Sequence, residues 1–118
     1  MLPNIKLEIN SVDGKSNVKI AKFVGELDTT NVNGILDELI SIFKDSDVKC
    51  VIGDMEELRY VNSTGIGVLL HFNKLSKDND AVFILANLND NVYEIMNIIG
   101  ATSVVKISDS VEEALENI

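Results

Sequence analysis

After a single hairpin, every short apolar run in this chain is followed by a stretch with helical spacing. That alternation leaves few folds open. Val48-Lys49-Cys50-Val51-Ile52 and Ala81-Val82-Phe83-Ile84-Leu85 are short, apolar and rich in β-branched residues, as strands buried on both faces are. Val104-Val105-Lys106-Ile107 is a third, shorter run of the same kind. Single strands separated by helices pair in parallel through right-handed crossovers. The start of the chain differs. Ile5, Leu7 and Ile9 alternate with Lys6 and Glu8, Asp13-Gly14 is a turn signal, and Val18, Ile20 and Phe23-Val24 return, so residues 5–24 read as a hairpin.

The helices carry their own signals. Thr29 or Thr30 can cap a helix whose stripe is Val32, Ile35, Leu36, Leu39, Ile40 and Phe43. A second helix starts near Ser63 and runs to about Lys77, after an acidic loop that follows Gly53. Asn89 or Asp90 caps a third helix with Val92, Ile95, Met96 and Ile99, which Gly100 ends. Ser110-Val111-Glu112-Glu113 reads as a capping box opening a last short helix. The expected fold is α/β, a mixed β-sheet with α-helices in the order ββαβαβαβα. The chain has 118 residues, which suits one domain over 1–118 with its own core. Sites in such sheets collect at strand carboxyl ends, where Asp28, Asp54, Asn62 and Ser63 fall.

Charge narrows the partners. Ten Lys and Arg face 19 Asp and Glu, a net charge of −9 with no basic cluster in the sequence, which argues against a nucleic-acid partner. Cys50 is the sole cysteine, so an intramolecular disulfide and a cysteine-based zinc site are both ruled out. Met1 to Ile9 lacks the charged-then-apolar pattern of a secretory signal, and no apolar run approaches membrane-spanning length. A cytoplasmic protein without a membrane partner is expected, as a monomer or a weak dimer through an exposed strand edge.

Ser63 and Thr64, with Gly65 and Gly67 after them, are the most suggestive residues. A serine nucleophile needs a base in reach. His71 is the only histidine, and eight helical residues place it roughly 12 Å along the axis from Ser63. The glycines do not make a dinucleotide loop, because the third glycine would fall at Leu70. Asp54, Glu56 and Glu57 resemble the acidic pocket of a response-regulator receiver in outline. The acidic pair after the first strand and the lysine ending a late strand are both missing, so a solvated acidic rim is the simpler reading. No enzyme, no cofactor and no metal are expected. Ser63 is then either a helix cap that stabilises by about 1 kcal/mol, or a phosphoacceptor at the positive end of a helix dipole.

Gly25-Glu26-Leu27-Asp28, the helix after it, and Val61-Asn62-Ser63-Thr64-Gly65-Ile66-Gly67 together resemble the STAS domain, in particular the bacterial anti-sigma factor antagonists. The resemblance covers nearly the whole chain. It implies a switch: Ser63 would be phosphorylated by an anti-sigma factor that is also a serine kinase, and a metal-dependent serine phosphatase would reset it. The unphosphorylated protein would bind that kinase through Asp28, Asn62, Ser63, Thr64 and Gly65, freeing a sigma factor for transcription. Asn62 stands where the family usually has Asp. The alternative is a STAS module of another partner-switching or sensory pathway, binding a small ligand such as a nucleotide without phosphorylation.

Overall fold

The computed structural model describes residues 4–118. Residues 1–3, where the reading of the chain's start begins and where Pro3 lies, are outside it. Strand β1 (Ile5–Val12) and strand β2 (Lys15–Leu27) form the expected antiparallel hairpin, with Gly14 at φ +77° in the turn. β2 runs three residues beyond the expected Val24. Gly25, at φ +118°, makes this possible: it lies opposite Ile5, and the next amide, of Glu26, donates to the Asn4 carbonyl at 2.8 Å. A side chain on Gly25 would place its Cβ 2.1 Å from that same carbonyl oxygen.

Helix α1 (Val32–Ser41) begins later than the threonines suggest. Its N-cap is Asn31, whose side chain makes no capping bond because it faces back to β2: Nδ2 donates to the Glu26 carbonyl at 2.9 Å, and Oδ1 accepts from the Asp28 amide at 3.1 Å. Val32, Ile35 and Leu39 are buried as expected, but Ile40 is 42% exposed. The chain tightens to a 3₁₀ turn at Ile42–Lys44, which swings Ile42 into the core in its place.

The largest departure from the sequence reading is strand β3. It spans Cys50–Val61, so the acidic stretch Asp54–Glu57 is strand and not loop. β3 pairs in parallel with β2 from Val18–Cys50 to Leu27–Val61, and the register shifts twice along the way, between Lys22 and Val24 and between Gly25 and Glu26. At each shift β3 carries one extra residue. Met55, Leu58 and Val61 are therefore buried at a spacing of three, which hides the alternation that marks a strand. The carboxylates between them are engaged along the strand. Glu57 pairs with Lys22, whose ammonium pKa is raised chiefly by that hydrogen bond. Asp54 accepts from the Glu56 amide and from Asn87 Nδ2, both at 3.1 Å.

Helix α2 (Ser63–Asp78), strand β4 (Val82–Ala86), helix α3 (Asp90–Ile99), strand β5 (Lys106–Ser108) and helix α4 (Val111–Glu116) complete the order. The sheet reads β1-β2-β3-β4-β5 across, with all pairs after the first parallel. Asn89 caps α3 by accepting from the Val92 amide at 2.8 Å, and Gly100 ends it at φ +89°. Ile99 is 48% exposed rather than part of the stripe, and the turn Ala101–Ser103 takes Val104 out of β5. Ser110 Oγ caps α4 by accepting from the Glu113 amide at 3.0 Å.

The strand order explains the layers. Each crossover steps the same way along the sheet, so right-handedness places α1, α2 and α3 on one face. The main core lies there. Phe72 of α2 stacks on Phe43 at 5.5 Å and meets Phe83 of β4 edge-on at 4.9 Å. The other face carries Val18, Cys50, Ile52, Ile84 and Ala86, and among the described residues the one helix covering it is the six-residue α4, through Ala114, Val111 and Leu115. Among the described residues no helix is long and apolar enough to cross a membrane.

Cys50 is buried on that second face, and burial pushes its thiol pKa up while the charge of Lys106 opposes the shift. A group whose folded pKa exceeds its unfolded value stabilises the fold fully below the unfolded value and stops doing so as pH rises through the folded one. Thermal melting measured from pH 7 to 10.5 should therefore fall more steeply for wild type than for Cys50→Ala above about pH 8.5, the ordinary thiol range. Parallel curves would show that Cys50 does not contribute.

Candidate functional site

Two loops meet at the carboxyl ends of β2 and β3. They meet because those strands stay paired to their last residues, Leu27 opposite Val61, so the chain leaves both strands at the same level. The Asn62 amide then donates to the Leu27 carbonyl at 3.3 Å. Asn62 Nδ2 donates to Thr29 Oγ1 at 3.2 Å, and the Thr29 hydroxyl donates to Thr64 Oγ1 at 3.3 Å. On the β2 side, Asp28 Oδ1 accepts from both the amide and the hydroxyl of Thr30, at 2.9 and 2.5 Å. All five residues picked out in the sequence, Asp28, Asn62, Ser63, Thr64 and Gly65, lie in this junction. Asp54 does not: it sits inside β3, hydrogen-bonded to Asn87 beyond the end of β4.

The helix cap is Asn62 and not Ser63. Asn62 is extended (φ −98°, ψ −179°), and its Oδ1 accepts from the Gly65 amide at 2.9 Å while its carbonyl accepts from Ile66 at 3.0 Å. Ser63 is thereby the first residue of the helix proper. It is exposed, and among the described residues its hydroxyl has no hydrogen-bond partner. The amides of Ser63 and Thr64 have no intrahelical acceptor, since they lie in the first turn. Thr29 is the residue that sequence reasoning undervalued. It reads there as a possible cap for α1, whereas its hydroxyl ties the two loops together. The signal was present in the run Asp28-Thr29-Thr30, which offers three oxygen-bearing side chains directly after a strand.

The two glycines after Ser63 differ in kind. A Cβ on Gly65 would lie 2.6 Å from Val61 Cγ2 and 2.8 Å from the Leu27 carbonyl oxygen, so the start of α2 packs directly on the end of β2. Gly67 is exposed and a Cβ there would meet nothing within 4 Å. Gly65→Ala should destabilise by about 1–3 kcal/mol through overpacking. Gly67→Ala should stabilise by up to about 1 kcal/mol, since alanine favours a helix interior. Urea unfolding of both variants checks the pair; equal effects would contradict this packing.

His71 is exposed on α2, two turns beyond Ser63. Among the described residues no three His, Cys, Asp or Glu side chains gather as metal ligands do.

The sequence profile of the STAS domain matches residues 11–114, nearly the whole described chain. The chain belongs to the STAS family. Among the curated relatives of this STAS domain is the anti-sigma-B factor antagonist of Staphylococcus aureus, 23% identical over 109 residues and covering 92% of this chain and 97% of that protein. Among solved structures, an anti-sigma factor antagonist from Mycobacterium paratuberculosis superposes with a TM-score of 0.84 at 14% identity, over 97% of this chain and 93% of that one. The Bacillus cell fate determinant SpoIIAA in its phosphorylated form superposes with a TM-score of 0.70 at 20% identity, over 95% and 98%. At these identities the structural likenesses establish the shared STAS fold.

Proposed function

We propose that this STAS protein is an anti-sigma factor antagonist of the cytoplasm whose partner binding is switched by phosphorylation of Ser63. One observation carries the reading. Of the four exposed hydroxyls in the junction, those of Thr29, Thr30 and Thr64 are engaged with one another or with Asp28, and among the described residues Ser63 alone has no partner. The family likeness to anti-sigma factor antagonists, one of them solved in a phosphorylated form, supports the same reading.

The physics of the position suits a reversible phosphate. Phosphoserine carries about −1.5 to −2 charges at neutral pH. At the first helical residue it faces the amides of Ser63 and Thr64 and the positive end of the α2 dipole, which favours each charge by about 0.3–1 kcal/mol. Asn62 provides the cap without adding a carboxylate beside the phosphate, and Glu57 and Glu26 are drawn off towards Lys22 and Arg59. Asp28 is the acidic neighbour that remains, and Thr30 holds its Oδ1. The fold therefore tolerates the modification while the surface around Asp28 becomes more negative. In this reading the domain binds and does not catalyse. Its partners are an anti-sigma factor serine kinase and a metal-dependent serine phosphatase, and the docking surface is Asp28, Asn62, Ser63, Thr64 and Gly65.

Titration of the unmodified protein into the purified cognate anti-sigma factor, followed by calorimetry, should show a saturable complex. No complex with a kinase that is active on another substrate would overturn the reading. A nucleotide retained by the purified STAS protein, with no complex, would favour a ligand-sensing module instead.

A further inference from the structure

The face of the sheet opposite the main core holds a cavity of about 620 Å³ at the amino ends of the parallel strands, at the far end of β3 from Ser63. It exists because the crossovers send three helices to the other face and leave only α4 here. The size falls within the range of small-molecule pockets, about 300–1,000 Å³. Its floor is apolar: Val18, Cys50, Val82 and Ile84 come from adjacent strands in register, Val18 opposite Cys50 and Cys50 opposite Val82. Val82 is 37% exposed and Ile118, across the cavity, 48%, so apolar surface faces the opening.

The charge around that floor is reversed relative to the rest of the molecule. The chain has 19 acidic against 10 basic side chains, yet among the described residues Lys15, Lys49 and Lys106 line this cavity with Glu113 as the one acidic side chain. All three lysines are exposed, and among the described residues none forms a salt bridge. The register places Lys106 beside Ile84 of the floor. Its charge also reaches Cys50, where it opposes the effect of burial on the thiol. Among the described residues no aromatic side chain lines the cavity, so a nucleotide base would find no stacking face there.

The geometry points to a binding site for an amphiphile with an anionic head and an aliphatic tail, the head held by Lys15, Lys49 and Lys106 and the tail on Val18, Val82 and Ile84. The head is a carboxylate or a phosphate monoester, which the same ammonium groups recognise.

The test is amide chemical-shift mapping of the full chain with decanoate and with decyl phosphate, below their micelle-forming concentrations. Decyltrimethylammonium, inorganic phosphate and AMP serve as comparisons. Saturable shifts at Cys50, Val82, Ile84 and Ala114, with none at Ser63, are expected from at least one anionic amphiphile; the tighter of the two identifies the head. Octanoate should bind more weakly than decanoate, by up to about fourfold for each methylene lost. The double variant Lys49→Glu, Lys106→Glu changes exposed side chains only, and should weaken binding at least tenfold while the melting temperature holds (about 1.4 kcal/mol). The proposal is overturned by the absence of saturable shifts with both anionic amphiphiles, by equal binding of the cationic amphiphile, or by binding that survives the charge reversal.

Discussion

Ser63→Glu is expected to weaken binding to the anti-sigma factor by about 100-fold or more, a loss of about 2.7 kcal/mol, and to leave the fold intact. The two halves of this expectation come from different features. Ser63 is exposed at the first position of α2, so a glutamate there displaces no packed atom, and its charge faces the favourable end of the helix dipole. The melting temperature should shift by no more than a few degrees. Binding is another matter, because the surface that a partner covers would gain a carboxylate near Asp28, and covering two uncompensated charges costs several kcal/mol. Ser63→Ala should bind like wild type, since the hydroxyl has no partner to lose among the described residues. Calorimetric titrations of the three proteins, with melting curves alongside, separate the effects. Had Ser63 been the helix cap, both variants would melt lower; with Asn62 as the cap, neither does.

Gly25→Ala is expected to be the most damaging single substitution in the fold. Alanine at φ +118° is strained by about 1–3 kcal/mol, and its Cβ would sit 2.1 Å from the Asn4 carbonyl oxygen. Relieving that contact means parting β1 from β2 at the Glu26–Asn4 hydrogen bond. A total above about 3 kcal/mol is a large share of the roughly 5–15 kcal/mol that holds an ordinary domain together. Denaturant unfolding should show the midpoint fall by a corresponding fraction, and the melting temperature should drop on the order of 10 °C or more. A loss below about 1 kcal/mol would mean that β1 and β2 separate easily here. Since Gly25 ends three residues before Asp28, an intermediate loss should also loosen the junction that carries Ser63.

The parts of the fold that were legible in the sequence are those where periodicity is unbroken. The hairpin, β4, α2 and α3 announce themselves through alternation, apolar runs or capped helical stripes. The second half of β3 does not, because two bulges turn its period of two into three, and four of its residues, Glu56, Glu57, Arg59 and Tyr60, are exposed in adjacent pairs. A strand of that kind looks like a charged loop. Ile40 and Ile42 changed places for a similar reason: a 3₁₀ turn after α1 rotates the stripe, and no residue type in that stretch signals the change. At the site, the residue types were legible and their roles were not. Ser, Thr and Asn are all good caps, so the sequence cannot say which of Asn62, Ser63 and Thr64 is used. The extended backbone at Asn62 decides it. Thr29 was hidden for a different reason. Its partners lie 33 and 35 residues away, across a strand pairing whose register only the bulges of β3 set.

The central claim is that Ser63 receives the phosphate. Incubation of the protein with its cognate anti-sigma factor kinase and ATP, followed by mass-spectrometric mapping of intact wild type and Ser63→Ala, tests it most directly. A single phosphate on Ser63 of the wild type and none on the variant is the predicted result. A phosphate on Thr64 or elsewhere, or none from a kinase shown to be active on another substrate, would contradict it.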